Sequence, residues 1–194
     1  MSSVDTATVT SASSRSIGIR AALVLAGALA VALAAQFSLP LPGTPVPFTF
    51  SPLAVLVVGA LLGPRLGAAS LITYIVMGAA HLPVFAPGGA IGLARLLGPT
   101  GGYLLAYPFA AWFVGWAVRR SLPATPSFVR TLLSCLAGMG IIFAGGLAQL
   151  TILTGDPARA FAAGALPFVA ADLAKVLLAA LIVGRTFPYT RALS

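Results

Sequence analysis

An aspartate and a lysine interrupt an otherwise apolar stretch near the end of the chain. The stretch ALPFVAADLAKVLLAALIVG, residues 165–184, is long enough to cross a bilayer and carries Asp172 and Lys175. At a spacing of three, the two side chains share one face of a helix and present a carboxylate acceptor beside an ammonium donor. Such a pair could bind a small polar ligand, line an ion path, or lock helices together as a structural ion pair.

The predicted depth of this pair favours a functional role. With a rise of 1.5 Å per residue from residue 165, Asp172 and Lys175 would lie about 10 to 15 Å inside the outer end of their helix. Each unpaired charge at such a depth costs about 2.5 to 3.5 kcal/mol on insertion scales. We therefore expect a ligand or ion site at mid-membrane depth, with the structural ion pair as the alternative.

The composition is that of an integral membrane protein. The 194 residues are 59% hydrophobic and 7% charged, and the mean hydropathy is +1.05. Such a chain has too little polar surface to cover a soluble globule. We predict an all-α integral membrane protein with six transmembrane helices. The predicted spans are about residues 20–37, 52–63, 66–81, 101–118, 131–153 and 165–184.

The ends of the chain and its arginines predict the domain organisation and the orientation. Residues 1–18 predict a disordered tail, residues 19–187 one membrane domain, and residues 188–194 a cytoplasmic tail. Positively charged loops are retained on the cytoplasmic side, which places both termini inside. Only Arg95 and Arg159 then fall outside, so the net charge of +8 reflects topology and anionic lipid, and not a nucleic-acid partner. The arginines at cytoplasmic ends are Arg15, Arg20, Arg65, Arg119, Arg120, Arg130, Arg185 and Arg191.

Few residues of the chain could catalyse a reaction. The acids are only Asp5, Asp156 and Asp172, and no GxSxG, HExxH or Ser/His/Asp set occurs. The single Cys135 excludes an intrachain disulfide, and no CxxC or Cys/His metal spacing is present. The GxxxxGKS/T phosphate loop of ATPases is also missing. We expect a transport protein without cofactor or metal rather than an enzyme, with any ATP-driven motor on other chains.

Two outward segments could form a binding site. The first, SLPLPGTPVPFTFSP (38–52), contains five prolines and Thr49, and it is stiff enough to be either a rigid connector or a lid. The second, HLPVFAPGGAIGLARLLGPTGGYLLAYP (81–108), carries Arg95 and Tyr103 among glycines that allow a ligand to approach the backbone. Thr100 is placed to cap the fourth helix, whose N-terminal N–H groups could meet an anion.

Alanines recur every four residues along the first predicted helix. Ala22, Ala26, Ala30 and Ala34 form a smooth strip on which another helix can pack closely. The residues alone leave two interpretations open, namely packing within the chain and an interface with a partner.

Three motifs together carry a resemblance to a known family. The segments PLPGTPVPFTFSPLAVLVVGALLGPRLGAAS and LPVFAPGGAIGLARLLGPTGGYLLAYP, followed by the helical ADLAK, look like BioY, the biotin-specific S component of energy-coupling factor (ECF) transporters. The similarity runs from about residue 36 to about residue 184. The resemblance implies a six-helix S-component bundle in the cell membrane that captures biotin from the outer side. In that family, a separate T component and two ATPase subunits drive release inward.

The resemblance also implies roles for individual residues. Asp172 and Lys175 would hold the ureido ring of biotin, and Arg95 with the turn from Thr100 through Gly101 to Gly102 would meet its carboxylate. Tyr103 and Thr49 are further candidate substrate contacts. Because S components resemble one another in docking an alanine strip on the T component, Ala22, Ala26 and Ala30 are the expected partner interface.

Alternatives to biotin capture remain at this point. The chain could be a structural or assembly membrane protein whose Asp172–Lys175 pair only locks helices, or an S component for another small vitamin. Assembly into homo-oligomers is also left open. Ligand binding separates the transport subunit from the structural protein.

Overall fold

The computed structural model describes the backbone of residues 4–120 and 127–190, and the side chains of residues 17–120 and 127–186. Seven helices and one short pair of strands make up this part of the chain. The elements are α1 (Val4–Gln36), β1 (Ser38–Leu39), β2 (Phe48–Thr49), α2 (Ser51–Ala79), α3 (Leu93–Leu97), α4 (Gly101–Arg119), α5 (Phe128–Thr154), α6 (Pro157–Gly164) and α7 (Val169–Thr190).

Four helices are long and apolar enough to cross a membrane. Among the described residues, they are the segment Ile17–Gln36 of α1 and the whole of helices α2, α4 and α5. Helices α6 and α7 together form a fifth candidate span, which is bent by 56°. An all-helical membrane protein is therefore confirmed. The predicted number of six helices is not, because α2 covers both the second and the third predicted span, and α3 and α6 were not expected.

Helix α2 is interrupted sharply at Gly63. This residue has a φ of 80°, which glycine adopts without strain, and Pro64 follows it. A methyl group added at Gly67 would lie 3.0 Å from the Cα atom of Gly59, although eight residues of a straight helix span about 12 Å. The two halves of α2 therefore fold back on each other, and the backbone carbonyl of Leu61 accepts a hydrogen bond from Arg119 of α4 at 2.9 Å.

Helix α1 begins earlier than predicted. It runs without a break from Val4, whereas the first helix was expected from about residue 20, and its apolar part begins at Ile17. The division of the chain into a tail and a membrane domain stays a prediction. At the other end, α7 reaches Thr190, and residues 191–194 of the predicted cytoplasmic tail lie outside the described residues.

Small residues let the helices approach closely. Helix α2 packs on α1, α4 and α7, and α4 also packs on α5. At the α2–α4 contact, a methyl group at Gly115 would lie 2.5 Å from the backbone oxygen of Gly59. Close backbone contact of this kind is typical of helix pairs in membranes, where dispersion and not the hydrophobic effect holds helices together.

The last helix begins later than predicted. Helix α7 begins at Val169 and not at residue 165, because the chain first forms α6 and a turn that ends at Phe168. Asp172 consequently lies in the first turn of α7. The predicted depth of 10 to 15 Å along one continuous helix is thus wrong, and the bent α6–α7 pair determines where the charged residues lie.

The proline-rich loop is held by pairing between its own ends and by a hydrogen bond to the helical bundle. Its two ends pair as the antiparallel strands β1 and β2, with Ser38 opposite Thr49. Near its tip, the Thr44 hydroxyl donates a hydrogen bond of 2.6 Å to the backbone oxygen of Ala163 in α6. These contacts give the loop a defined shape over one end of the bundle.

Candidate functional site

A cavity lies beneath the proline-rich loop, between α2, α4, α5 and α7. It contains about 630 Å³ of empty space when the solvent at its mouth is included. Six predicted site residues line it: Thr49, Arg95, Thr100, Tyr103, Asp172 and Lys175. These residues come from four separate segments of the sequence, and the fold places them around one cavity.

Asp172 and Lys175 form an ion pair at the wall of the cavity. The Lys175 Nζ atom lies 2.6 Å from Asp172 Oδ1, and the side chains are 5% and 9% exposed. The pair is formed within one helix at a spacing of three, so the bond itself joins no second element. It leaves Asp172 Oδ2 as an acceptor and further N–H groups of Lys175 as donors.

The proline-rich loop covers Lys175. The Nζ atom lies 3.7 Å from the centroid of the Phe48 ring and 5.9 Å from that of Phe50. The two rings meet edge to face with centroids 5.7 Å apart. An ammonium over an aromatic face is stabilised by the ring quadrupole. The loop thus forms one wall of the cavity and is more than a connector.

Arg95 is a buried cation at another part of the same cavity. It belongs to the short helix α3, is 7% exposed, and its Nε atom has no hydrogen-bond partner among the described residues. Burial lowers the pKa of its guanidinium from the ordinary value, because the charged form loses hydration. The backbone of Gly89 lies directly against the guanidinium, where a side chain would collide with it. A buried guanidinium without an anion is a natural partner for an anionic ligand group.

Aromatic side chains that the sequence analysis missed form the apolar lining. Tyr74 stacks on Tyr107 with centroids 6.4 Å apart and meets Phe85 edge to face at 5.4 Å. The apolar surface also includes Phe168, from the turn before α7. A polar residue beside this surface is Ser51, at the start of α2. Tyr74 and Tyr107 are tyrosines inside apolar helices, a signal that could have identified them, whereas Phe85 and Phe168 carry no such signal.

Tyr103 lines the cavity and also joins two elements. Its hydroxyl donates a hydrogen bond of 2.7 Å to the backbone oxygen of Gly164 at the end of α6. Gly146 of α5 lies against the face of the ring, where a side chain would collide with it. The hydroxyl proton is therefore engaged within the protein, and a ligand could use only the oxygen as an acceptor.

Gly101 is not among the residues that line the cavity, unlike the six predicted site residues that do line it. A methyl group there would collide with the backbone oxygen of Leu96 and with Gln149, whose amide donates hydrogen bonds of 2.9 and 2.7 Å to the carbonyls of Leu96 and Gly98. The glycine serves the tight turn between α3 and α4. Thr100 is the N-cap residue of α4, as predicted. Its side chain makes no capping hydrogen bond, so the prediction of a side-chain cap is wrong.

The alanine strip on α1 faces away from the bundle. Ala22, Ala26 and Ala30 are exposed and Ala34 is half-buried, while Ala28, Val31, Ala32 and Ala35 form the buried face of α1. Packing within the chain therefore does not account for the first three alanines of the strip.

Metal binding has no support in the described residues. In residues 17–120 and 127–186, no three His, Cys, Asp or Glu side chains come together as a metal site would require. The cavity is instead an apolar site with three charged groups.

Comparison with known proteins identifies the family. The sequence model of the BioY family matches residues 6–192. This chain belongs to the BioY family. The biotin transporter BioY of Thermotoga maritima is 39% identical over 170 residues, which are 87% of this chain and 91% of that protein. The probable biotin transporter BioY of Pyrococcus horikoshii is 38% identical over 141 residues, 73% of this chain and 80% of that protein.

A solved structure shares the fold. It is the crystal structure of the S-component for biotin from an ECF-type ABC transporter, which matches with a TM-score of 0.70 over 95% of this chain and 93% of that chain. The identity of 23% limits this likeness to the fold. The resemblance seen in the sequence is thus confirmed, and the expectation of a transport protein rather than an enzyme agrees with the family.

Proposed function

We propose that this protein captures biotin in the cavity from the extracytoplasmic side and is the substrate-binding subunit of a transporter. The observation that carries the proposal is the presence, around one apolar cavity, of the Asp172–Lys175 ion pair and of Arg95, whose buried Nε atom has no hydrogen-bond partner among the described residues. Biotin has a neutral ureido ring at one end and a carboxylate at the other. The family relatives, which are named as biotin transporters, support this choice of ligand.

The ring end of biotin binds at the ion pair in this proposal. The ureido group has two N–H donors and one carbonyl acceptor, so Asp172 accepts from an N–H and Lys175 donates to the carbonyl. Hydrogen bonds to charged groups contribute about 1.5 to 3 kcal/mol each. The low exposure of both side chains keeps water from competing for these bonds.

The carboxylate end binds at Arg95. A guanidinium presents two parallel N–H donors to a carboxylate and holds it in a fixed orientation. The bound carboxylate supplies the anion that Arg95 lacks within the described protein. Thr100 lines the same cavity and is the further candidate for this end.

The apolar part of biotin occupies the aromatic lining. Tyr74, Phe85, Tyr107 and Phe168 provide surface for the sulfur-containing ring and the aliphatic chain. Burying this surface contributes about 25 cal/mol per Å². The proline-rich loop, with Thr49 among the lining residues, then acts as the lid that separates the ligand from solvent.

We also propose six membrane crossings with both termini in the cytoplasm. The two halves of α2 count as separate crossings because the chain reverses at Gly63, and the α6–α7 pair counts as one. Arg95 and Arg159 then lie at the cavity end, whereas Arg20, Arg65, Arg119, Arg120, Arg130 and Arg185 lie at the other end. The excess of positive charge at the second end favours a cytoplasmic location for it.

The energy for uptake comes from other chains in this proposal. The sequence has no phosphate loop, and its only lysine is Lys175. A T component docks on the exposed strip of Ala22, Ala26 and Ala30, and two ATPase subunits drive release. Small residues on an exposed helix face suit the close approach of another membrane helix.

The alternative of a structural ion pair is weaker than biotin capture. A pair that locks helices together needs its partners on different helices, but Asp172 and Lys175 are both on α7. Outside its own helix, the Lys175 ammonium lies against the loop residue Phe48. This arrangement favours a ligand-binding role for the ion pair over a structural one.

Titration of the purified chain with radiolabelled biotin in detergent tests the proposal. We expect saturable binding of one biotin per chain in the absence of partner subunits, with competition by unlabelled biotin. Asp156→Asn is the matched control for the cavity variant Asp172→Asn, because Asp156 caps α6 at the surface and its side chain is 41% exposed. If the purified chain is helical in detergent but shows no saturable binding of biotin, the proposal is contradicted.

A further inference from the structure

A groove lies between α4 and α5 at the end of the bundle opposite the cavity. The residues that matter for its chemistry are Phe113, Trp116, Arg120, Arg130, Leu133 and Ser134. Two guanidinium groups therefore stand beside aromatic and aliphatic side chains on a surface where two spans meet.

No acidic side chain that the structure describes forms an ion pair with the arginines of this groove. Arg120 and Arg130 are both exposed. Asp156 and Asp172, the acidic residues whose side chains the structure describes, both lie at the cavity end. The first turn of α5 adds to the positive potential, because its N-cap residue Ser127 makes no side-chain capping bond.

Aromatic residues place the groove at the boundary between membrane and water. The Arg120 Cζ atom lies 4.9 Å from the Trp116 ring centroid, and Trp112 stacks on Trp116 with centroids 6.3 Å apart and planes 6° apart. Tryptophans are enriched at the level of lipid headgroups. Below the arginines, Leu133 and Trp112 expose 59% and 49% of their surface, as a lipid-facing wall would.

We propose that this groove binds an anionic phospholipid, with the phosphate between Arg120 and Arg130 and an acyl chain along the face of Trp112 and Trp116. Basic pockets between spans are known to hold anionic headgroups. The apolar wall directly below the charges suits a lipid better than free phosphate, which would leave that wall uncovered. The proposal does not depend on biotin binding at the other end.

Native mass spectrometry of the purified full chain tests the site. The delipidated protein is titrated in detergent with phosphatidylglycerol and with phosphatidylcholine of the same acyl chains. We expect tighter binding of the anionic lipid, and a loss of about tenfold in this preference in the double variant Arg120→Gln/Arg130→Gln. The control is Arg65→Gln/Arg185→Gln, which removes two exposed arginines on α2 and α7 outside the groove and should keep the preference.

Three results would overturn the proposal. They are an unchanged preference in the groove variant, an equal loss in the control variant, and displacement of the lipid by millimolar inorganic phosphate. If the groove variant melts at a lower temperature than the parent, the same lipid titration is repeated with Arg120→Lys/Arg130→Lys, which keeps the positive charges. Retained preference in the lysine variant supports the charge-based site, and its loss contradicts it.

Discussion

Arg95 at the cavity end is 7% exposed and Arg65 at the opposite end is exposed, although both are arginines in connections between apolar helices. Asp172 and Lys175 are buried like Arg95, at 6% and 4% exposure. A surface charge keeps its water and costs little, whereas a buried charge needs a partner. The buried charges at the cavity end therefore point to a ligand, and the exposed charges at the other end to topology and lipid.

The largest expected effect is at the ring end of the cavity. Asp172→Asn keeps the shape of the side chain but removes the charge-assisted acceptor, so affinity for biotin should fall by at least about tenfold. Labelled-biotin titration in detergent measures it, with Asp156→Asn as the surface control. Parent-like binding by the Asn variant, together with a lower melting temperature for Lys175→Ala, would mean that the pair is structural.

A smaller effect is expected at the loop. Phe48→Leu keeps an apolar side chain over Lys175 but removes the aromatic face 3.7 Å from its Nζ atom. Because a cation–π contact contributes at least about 0.5 to 1 kcal/mol, affinity should fall by at least about twofold. Phe50→Leu is the matched control, since that ring lies 5.9 Å from the Nζ atom and the residue is 41% exposed. Equal losses in both variants would remove the specific role of Phe48.

The smallest effect on binding is expected outside the cavity. Ala26→Leu adds bulk to an exposed face of α1, where two backbones would have to approach closely. Biotin affinity of the isolated protein should stay at the parent value, while co-purification with the T component and ATP-dependent uptake both drop. A joint loss of binding and uptake would place the strip inside the substrate-binding unit, and no loss of either would leave it facing lipid.

The predictability of the molecule from its sequence differs from region to region. Hydrophobic length identified the apolar helices, and helical spacing put Asp172 and Lys175 on one face. Apolar length could not predict α3 and α6, which are too short to leave a periodic signal, or the late beginning of α7, which depends on the turn at Phe168. The reversal at Gly63 falls at the end of the predicted span 52–63, just before the predicted span 66–81.

The candidate site shows the same difference. Charges in apolar surroundings stand out in a sequence, so Arg95, Asp172 and Lys175 were selected, and all three line the cavity. The sequence could not show that Gly101 packs against the backbone oxygen of Leu96, because glycines that leave room for a ligand and glycines that leave room for a carbonyl look alike in a sequence. The aromatic lining was missed, since phenylalanines such as Phe85 and Phe168 are ordinary in a membrane protein until the fold brings them together.

The most direct test of the central claim is one crossed titration. The parent, Asp172→Asn and Arg95→Ala are each titrated with biotin and with biotin amide, which has the ring but no tail charge. The account predicts that Arg95→Ala weakens biotin by about tenfold and the amide little, because a hydrogen-bonded charge pair contributes about 1.5 to 3 kcal/mol. Asp172→Asn should weaken both ligands equally. Equal losses for both ligands in Arg95→Ala, or no loss in Asp172→Asn, would contradict a cavity that holds biotin by its two ends.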